Sequence, residues 1–252
     1  MTVWRGCWVL ALLLAAGCVT TERGPGPKVA PDAERVQAQL GLARGYLEKG
    51  EWARARRPLE RALELDSRSA DAHGLLALLF QEEGERTLAE KEYKTALRYD
   101  PANAQTLNNY GSFLFGLGRY EEARDHLQRA VRDTAYSRRA MAYENLGSTE
   151  LRLLRIDEAE KSFKRALSLN SSLRRANLEL AEIYFDRGDN TLAQRHYKGY
   201  LAVAPQTPRS LWIGIRLARV FDRKDELASY ALALRNLYPG SEEYRLYRES
   251  LE

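Results

Sequence analysis

Two thiols and three imidazoles are the groups in this 252-residue chain best suited to bond-making chemistry near neutral pH. A catalytic base, metal ligand or nucleophile works within a cluster of partners, so the spacing of these residues decides what they can do. His73, His126 and His196 stand far apart, and none lies in an HExxH, GxSxG or glycine-rich phosphate-loop pattern. The sequence therefore predicts no enzyme, no catalytic residue, no metal site, no cofactor and no small-molecule substrate. Cys18 is different. Arg5 supplies a positive start, residues 8–16 form an apolar run, and Ala15, Ala16 and Gly17 are small enough for a signal peptidase pocket. The run is far short of the ~20 residues a membrane-spanning helix needs.

The string Leu14, Ala15, Ala16, Gly17, Cys18 resembles the bacterial lipobox, in which the cysteine is acylated and becomes the first residue of the mature protein. Ala15 departs from it, since leucine is more usual there. Cys7 lies inside the segment that would be removed, which leaves Cys18 alone and excludes an intramolecular disulfide. A thioether-linked lipid consumes the remaining thiol, and two or more acyl chains give stable anchoring where one does not. Residues 1–17 read as a lipoprotein signal peptide. Residues 18–31, with Gly24, Pro25, Gly26, Pro27 and Pro31, read as a lipidated cysteine and flexible tether reaching about 40 Å at ~3.3 Å per residue. Asp32 is placed to N-cap the first helix.

The elements beyond the tether follow from residues 107–131, LNNYGSFLFGLGRYEEARDHLQRAV. Leu107, Tyr110, Gly111 and Leu114 recur at helical spacing, Gly118 breaks the helix, and Ala123, Leu127 and Ala130 resume the period. Gly111 and Ala123 are small where two backbones must come close. This order resembles the tetratricopeptide repeat, whose period is about 34 residues. It returns at Leu76, Ala77, Phe80, Gly84, Ala89, Tyr93 and Ala96, at Leu42, Ala43, Tyr46, Gly50, Ala55, Leu59 and Ala62, and, after a short insertion at 134–137, at Leu146, Gly147, Ala159, Phe163 and Ala166. Leu180, Ala181, Tyr184, Gly188, Ala193 and Tyr197 make a fifth copy. A sixth is atypical, with Gly214 in a slot for a large side chain and Leu227 in one for a small one, as befits the end of a stack. The prediction is an all-α tetratricopeptide-repeat solenoid over 32–252. Its six helical hairpins, at about 36–69, 70–103, 104–137, 140–173, 174–207 and 208–241, would form a right-handed superhelix with a concave groove. Two residues sit badly in it. Pro58 falls inside a second helix, at a cost of about 3 kcal/mol unless that helix starts late or kinks, and Glu150 takes a slot for a large apolar residue.

The formal charge of +4 comes from basic and acidic residues interspersed throughout, which argues for solvated helix faces and against a nucleic-acid surface. A repeat stack offers a groove instead. The slots beside the packing stripe of each first helix hold Leu40 and Leu47, then Leu78, then Asn108, Ser112 and Phe115, then Leu151, then Leu178 and Phe185, then Trp212 and Arg216. Several are apolar, which suits a face that holds a partner segment.

Segments 107–123, 136–147 and above all 209–244, RSLWIGIRLARVFDRKDELASYALALRNLYPGSEEY, resemble the PilF/PilW/Tgl family of type IV pilus biogenesis lipoproteins. The resemblance runs from about residue 33 to the end. Trp212, Gly214, Ile215, Arg216, Ala228, Ser229, Tyr230, Ala231 and Pro239 carry it most specifically, because they are not generic repeat residues. It implies a pilotin that helps type IV pilus secretin (PilQ-like) subunits reach the outer membrane and multimerise, in support of pili and pilus-dependent motility. It also implies an outer-membrane location, lipid-anchored and facing the periplasm. The alternative is a static scaffold lipoprotein in another envelope complex. The anchor has a direct test: Cys18→Ala should abolish incorporation of a radiolabelled fatty acid and move the protein out of the outer-membrane fraction, and label persisting in the mutant would overturn the lipobox reading.

Overall fold

The computed structural model describes residues 31–252, so the leader, Cys18 and the tether up to residue 30 lie outside it. Among the described residues there are thirteen α-helices and no strand. They run as hairpins: α1 (Asp32–Glu48) with α2 (Trp52–Leu65), α3 (Ala70–Glu82) with α4 (Arg86–Tyr99), and α5 (Ala104–Gly116) with α6 (Tyr120–Ala130). Then come α7 (Arg139–Arg152) with α8 (Ile156–Leu169), α9 (Arg174–Asp186) with α10 (Asn190–Leu201), and α11 (Pro208–Val220) with α12 (Lys224–Leu237). A last helix, α13 (Glu242–Glu249), is additional to the six hairpins expected. No described helix is long and apolar enough to cross a membrane.

Each hairpin turns on one residue in the left-handed region. Gly50, Gly84, Gly118 and Gly188 have φ between 71° and 82°, and the matching positions of the fourth and sixth hairpins are Leu154, at 59°, and Asp222, at 49°. The conformation is set by the hairpin, which imposes it on a leucine at a cost of roughly 1–2 kcal/mol where glycine would take it freely. Within a hairpin the small slots act as expected. A Cβ on Gly111 would lie 2.6 Å from Leu127 Cγ and 3.2 Å from the Ala123 carbonyl oxygen, and one on Gly147 would lie 2.8 Å from the Phe163 ring. Leu127 and Phe163 are fully buried as a result, and Tyr93 is buried likewise in the cluster with Ala77 and Ala89.

The stack bends because its two layers are unequally spaced. The backbones of successive odd-numbered helices come close, α1 to α3 and onward to α9 with α11, whereas those of successive even-numbered helices from α2 to α12 stand farther apart. The odd helices therefore form the inner layer of a curve. Consistent with that curvature, Glu48 at the end of α1 pairs with Arg138 just before α7, 3.5 Å away and three repeats on. The core is a series of adjoining apolar clusters along the stack, one of them joining α1, α2 and α3 through Leu40, Leu59 and Leu79. At the far end α13 lays Tyr244 and Tyr247 against Leu211, Ile215 and Leu234. Ser241 accepts from the Tyr244 N–H and starts that helix.

The misfits find local answers. Glu150 is buried, with 4% of its surface exposed, and accepts a hydrogen bond from Ser162 Oγ at 2.6 Å, so the apolar slot is filled by a polar pair. Burial pushes its carboxyl above the usual range, with the Ser162 bond working the other way. Around Gly214 the missing side chain is replaced by Tyr197 and Tyr230, whose rings meet edge to face at 84° with centroids 6.1 Å apart. Leu227 lies partly buried in the terminal cluster. Pro58 lies within α2, which does not start late, and lines an open cleft on the first repeat with Leu42 and Tyr46. Asp32 is not the expected cap: it is the first residue of α1, and its carboxylate takes a 2.6 Å bond from Arg35.

The last repeat is tied on by charge. Arg209, in the first turn of α11, reaches back to α9 and donates to both oxygens of Glu179, at 2.8 and 2.7 Å, and both of Glu182, at 2.8 and 2.5 Å. Burial holds the Glu182 carboxyl above its usual range, and the Arg209 bonds work against that shift. A folded-state pKa above the unfolded one means that the folded chain takes the proton more readily, so this group's contribution weakens as pH rises between the two values.

Two measurements test this account. Gly111→Leu should cost roughly 1–3 kcal/mol or more by forcing α5 from α6, and the loss should spread to the flanking repeats; an unchanged melting temperature would refute the packing. Arg209→Ala leaves two carboxylates side by side without their cation and should cost about 1–3 kcal/mol at pH 7, the pair being half-exposed. Protonation then relieves the repulsion, so the melting-temperature deficit should shrink as pH falls toward the carboxylate range, and a deficit that grew on acidification would contradict the assignment.

Candidate partner-binding face

The inner layer of odd helices carries all eleven residues expected in the groove, and it sorts them into two sets. Leu40, Leu47, Asn108 and Leu178 are closed off, at 0, 6, 6 and 8% exposure. This corrects their assignment as partner contacts. Successive odd helices touch, so the slot that faces the neighbouring odd helix is consumed by it: Leu40 and Leu47 join the cluster around Leu59, and Leu178 joins the one around Phe163 and Tyr184. Leu78, Ser112, Phe115, Leu151, Phe185, Trp212 and Arg216 remain half-buried, open on one side.

The half-buried residues gather at two places. On α9 and α11 the Arg216 guanidinium lies 4.5 Å from the Phe185 ring centre and 5.8 Å from that of Trp212, and it pairs with Asp186 at 3.3 Å. Two aromatic faces around a cation give a flat surface that is part apolar and part charged. The second place is a pocket of about 230 Å³ between α5, α7 and α9, lined by Ser112, Phe115, Leu127, Asn145, Ser148, Thr149 and Arg175. Leu151, expected to act with Phe115, lies outside it and packs against the Phe163 cluster.

The sequence reading missed Asn145, Ser148, Thr149 and Arg175. Ser148 was within its reach, because the step that carries Gly111 to Gly147 carries Ser112 to Ser148. Arg175 lies three residues before Leu178, on the same side of α9. Asn145 is recognisable only in three dimensions: its Nδ2 donates to Asn108 Oδ1 at 3.1 Å and to Ser112 Oγ at 3.0 Å, stitching α7 to α5. The same layer is stitched elsewhere by Arg44 with Asp71 at 2.9 Å and by Glu144 Oε1 accepting from the Ala176 N–H at 3.0 Å.

The imidazoles have structural roles. His73 Nδ1 lies 2.6 Å from Glu92 Oε2, His126 packs tilted at 49° against Tyr110 with centroids 4.6 Å apart, and His196 stacks on Tyr184 with centroids 5.5 Å apart. Burial depresses the basicity of the last two. Among the described residues no three His, Cys, Asp or Glu side chains converge to hold a metal ion. A larger open cleft of about 750 Å³ runs along the outer helix α4, lined by Arg86, Lys91, Lys94 and Arg98 around Glu90.

Tetratricopeptide-repeat models match residues 40–85, 70–103, 103–172 and 144–208. The type IV pilus assembly protein PilF of Pseudomonas aeruginosa is 41% identical over 251 residues, covering 98% of this chain and 99% of its own. The solved structure of that organism's PilF superposes with a TM-score of 0.84 at 42% identity over 87% of this chain and 99% of that one. The structure of PilW, a widely conserved type IV pilus biogenesis factor, does so with a TM-score of 0.69 at 26% identity over 84% and 97% of the two chains. A repeat stack matched along nearly its whole length at this identity places the chain in the PilF/PilW family of tetratricopeptide-repeat proteins that serve type IV pilus biogenesis.

Proposed function

We propose that within pilus biogenesis this chain is a pilotin: a lipoprotein, held at the periplasmic face of the outer membrane through Cys18, that binds secretin subunits and promotes their assembly into the multimeric pore. The observation that carries the proposal is the inner face of the stack, where Phe115, Phe185 and Trp212 stay half-exposed although the surrounding repeats offer full burial to their neighbours. Keeping large aromatic rings partly in water is unfavourable by a fraction of the ~1.5–3 kcal/mol that burying each would contribute, and a bound segment recovers it. The leader ending in Cys18 supports the location, and its tether lets the stack meet subunits at a distance from the bilayer.

Deleting the gene should abolish heat- and detergent-resistant secretin multimers while leaving secretin monomers present. Restoring a Phe115→Glu, Trp212→Glu double mutant should give a lipidated, helical protein that fails to restore multimers, since two lost apolar contacts weaken a micromolar interaction by a factor on the order of 100 or more. Secretin multimers at the normal level in the deletion strain would sink the pilotin reading and favour a scaffold role elsewhere in the pilus apparatus.

A further inference from the structure

The pocket between α5, α7 and α9 is lined by one charged residue, Arg175, and that charge together with an unspent hydroxyl specifies what enters it. Asn145 spends its amide hydrogens on Asn108 and Ser112. Ser148 donates to the Glu144 carbonyl at 3.0 Å and Thr149 to the Asn145 carbonyl at 2.8 Å, so both of those protons are taken by the preceding helical turn. Ser112 accepts from Asn145 and makes no such bond of its own, which leaves its O–H to donate into the cavity. Arg175 lines the same cavity, is exposed, and forms no ion pair with any described carboxylate. Both acidic side chains of α7 are engaged elsewhere: Glu144 accepts from the Ala176 N–H in the first turn of α9, and Glu150 accepts from Ser162 Oγ.

The unspent donors are thus one hydroxyl and one guanidinium; the acceptors left beside them, Asn145 Oδ1, Ser148 Oγ and Thr149 Oγ1, are neutral, so the formal charge among the lining residues is that of Arg175, and next to it stands the half-buried ring of Phe115. A carboxylate is the complementary group: it only accepts, it is anionic, and charge-assisted bonds to guanidinium are about twice as strong as neutral ones. A cavity of about 230 Å³ has room for one acidic side chain, with its methylenes against Phe115. The inner face continues past the pocket in both directions, to Leu78 on α3 and to Phe185 and Trp212 on α9 and α11. A segment touching both ends passes through the pocket and does not stop there.

We infer that this pocket is the receptor for an aspartate or glutamate side chain of the segment bound along the inner face, with Arg175 and Ser112 holding its carboxylate and Phe115 its methylenes. The inference rests on the proposal that the inner face binds a partner segment, and it adds the chemistry by which that segment is recognised.

The test is selection of random twelve-residue displayed peptides on the detergent-solubilised full-length protein, followed by anisotropy titration of the best peptide in amidated form. The wild-type protein should enrich one acidic residue at a fixed spacing from an apolar one, and changing that residue to Gln should weaken binding about ten- to a hundredfold. Arg175→Gln should lower affinity for the acidic peptide by a similar factor and erase its preference over the Gln peptide. Arg175→Glu should instead favour the peptide with Lys at that position, and Ser112→Ala should give a smaller loss. Arg175 makes no hydrogen bond or ion pair through its side chain among the described residues, so unchanged melting curves are expected for its variants. Three results would overturn the inference: no acidic enrichment, an acidic preference that survives Arg175→Glu, or binding that requires a free peptide C-terminus. A purified periplasmic fragment of the secretin separates this from the pilotin reading. If it binds wild type and Arg175→Glu equally, the pocket assignment fails and the secretin partnership stands. If it fails to bind while acidic peptides depend on Arg175, the pocket stands and the partner is another protein.

Discussion

Everything in this molecule depends on how closely two helices of a hairpin can approach. At Gly111 and Gly147 the absence of a single carbon lets Leu127 and Phe163 rest against the opposite backbone, and that contact makes each hairpin a rigid unit with a defined outer surface. Rigid units then stack with small, repeated offsets, and an array of such units has a curvature because nothing inside it can adjust. The inner face, with its half-exposed rings and its pocket, is a property of the array and does not exist in any one repeat. The pocket needs α5, α7 and α9 together, with α7 tied to α5 by Asn145 and its two acceptors and to α9 by Glu144.

The periodicity of small and large residues made the hairpins legible in the sequence, because a small residue in the close-approach slot is physically forced and a glycine takes the left-handed turn without strain. Where the force is weaker the pattern blurs. Leu154 and Asp222 adopt the turn without glycine, and Gly214 exchanges roles with Tyr197 and Tyr230. The groove was legible only in part. Position on a helix says which side a residue faces, but not whether the next helix already occupies that side, and Leu40, Leu47, Asn108 and Leu178 were lost to such contacts. Arg175 and Asn145 were missed for the complementary reason: a pocket is defined by hydrogen bonds left over after the fold has taken its share, and that remainder is visible only once the partners are known.

The two ends of the stack are finished differently. At the C-terminal end α13 and a set of tyrosines cover the last repeat, and Arg209 locks it to α9 through two carboxylates. The first repeat has no such cover among the described residues; its open side carries Leu42, Tyr46 and Pro58, with Arg54 lying 4.5 Å above the Tyr46 ring. A proline within α2 removes one backbone donor from that helix, and it stands where no further repeat is required to stack.

The contact between Glu48 and Arg138 has a mechanical meaning. A solenoid whose units touch only their neighbours behaves as a spring, soft along its axis because small angular changes accumulate from unit to unit. An ion pair joining the first repeat to the start of the fourth is a chord across the coil, and it limits how far the coil can open. Both side chains are well exposed, at 52 and 67%, so the chord is weak, about 0–1 kcal/mol, and it loosens as mobile ions screen it over a distance of roughly 8–10 Å. The chord is thus strongest in dilute salt and fades as salt is added, leaving the neighbour-to-neighbour packing to set the shape of the stack.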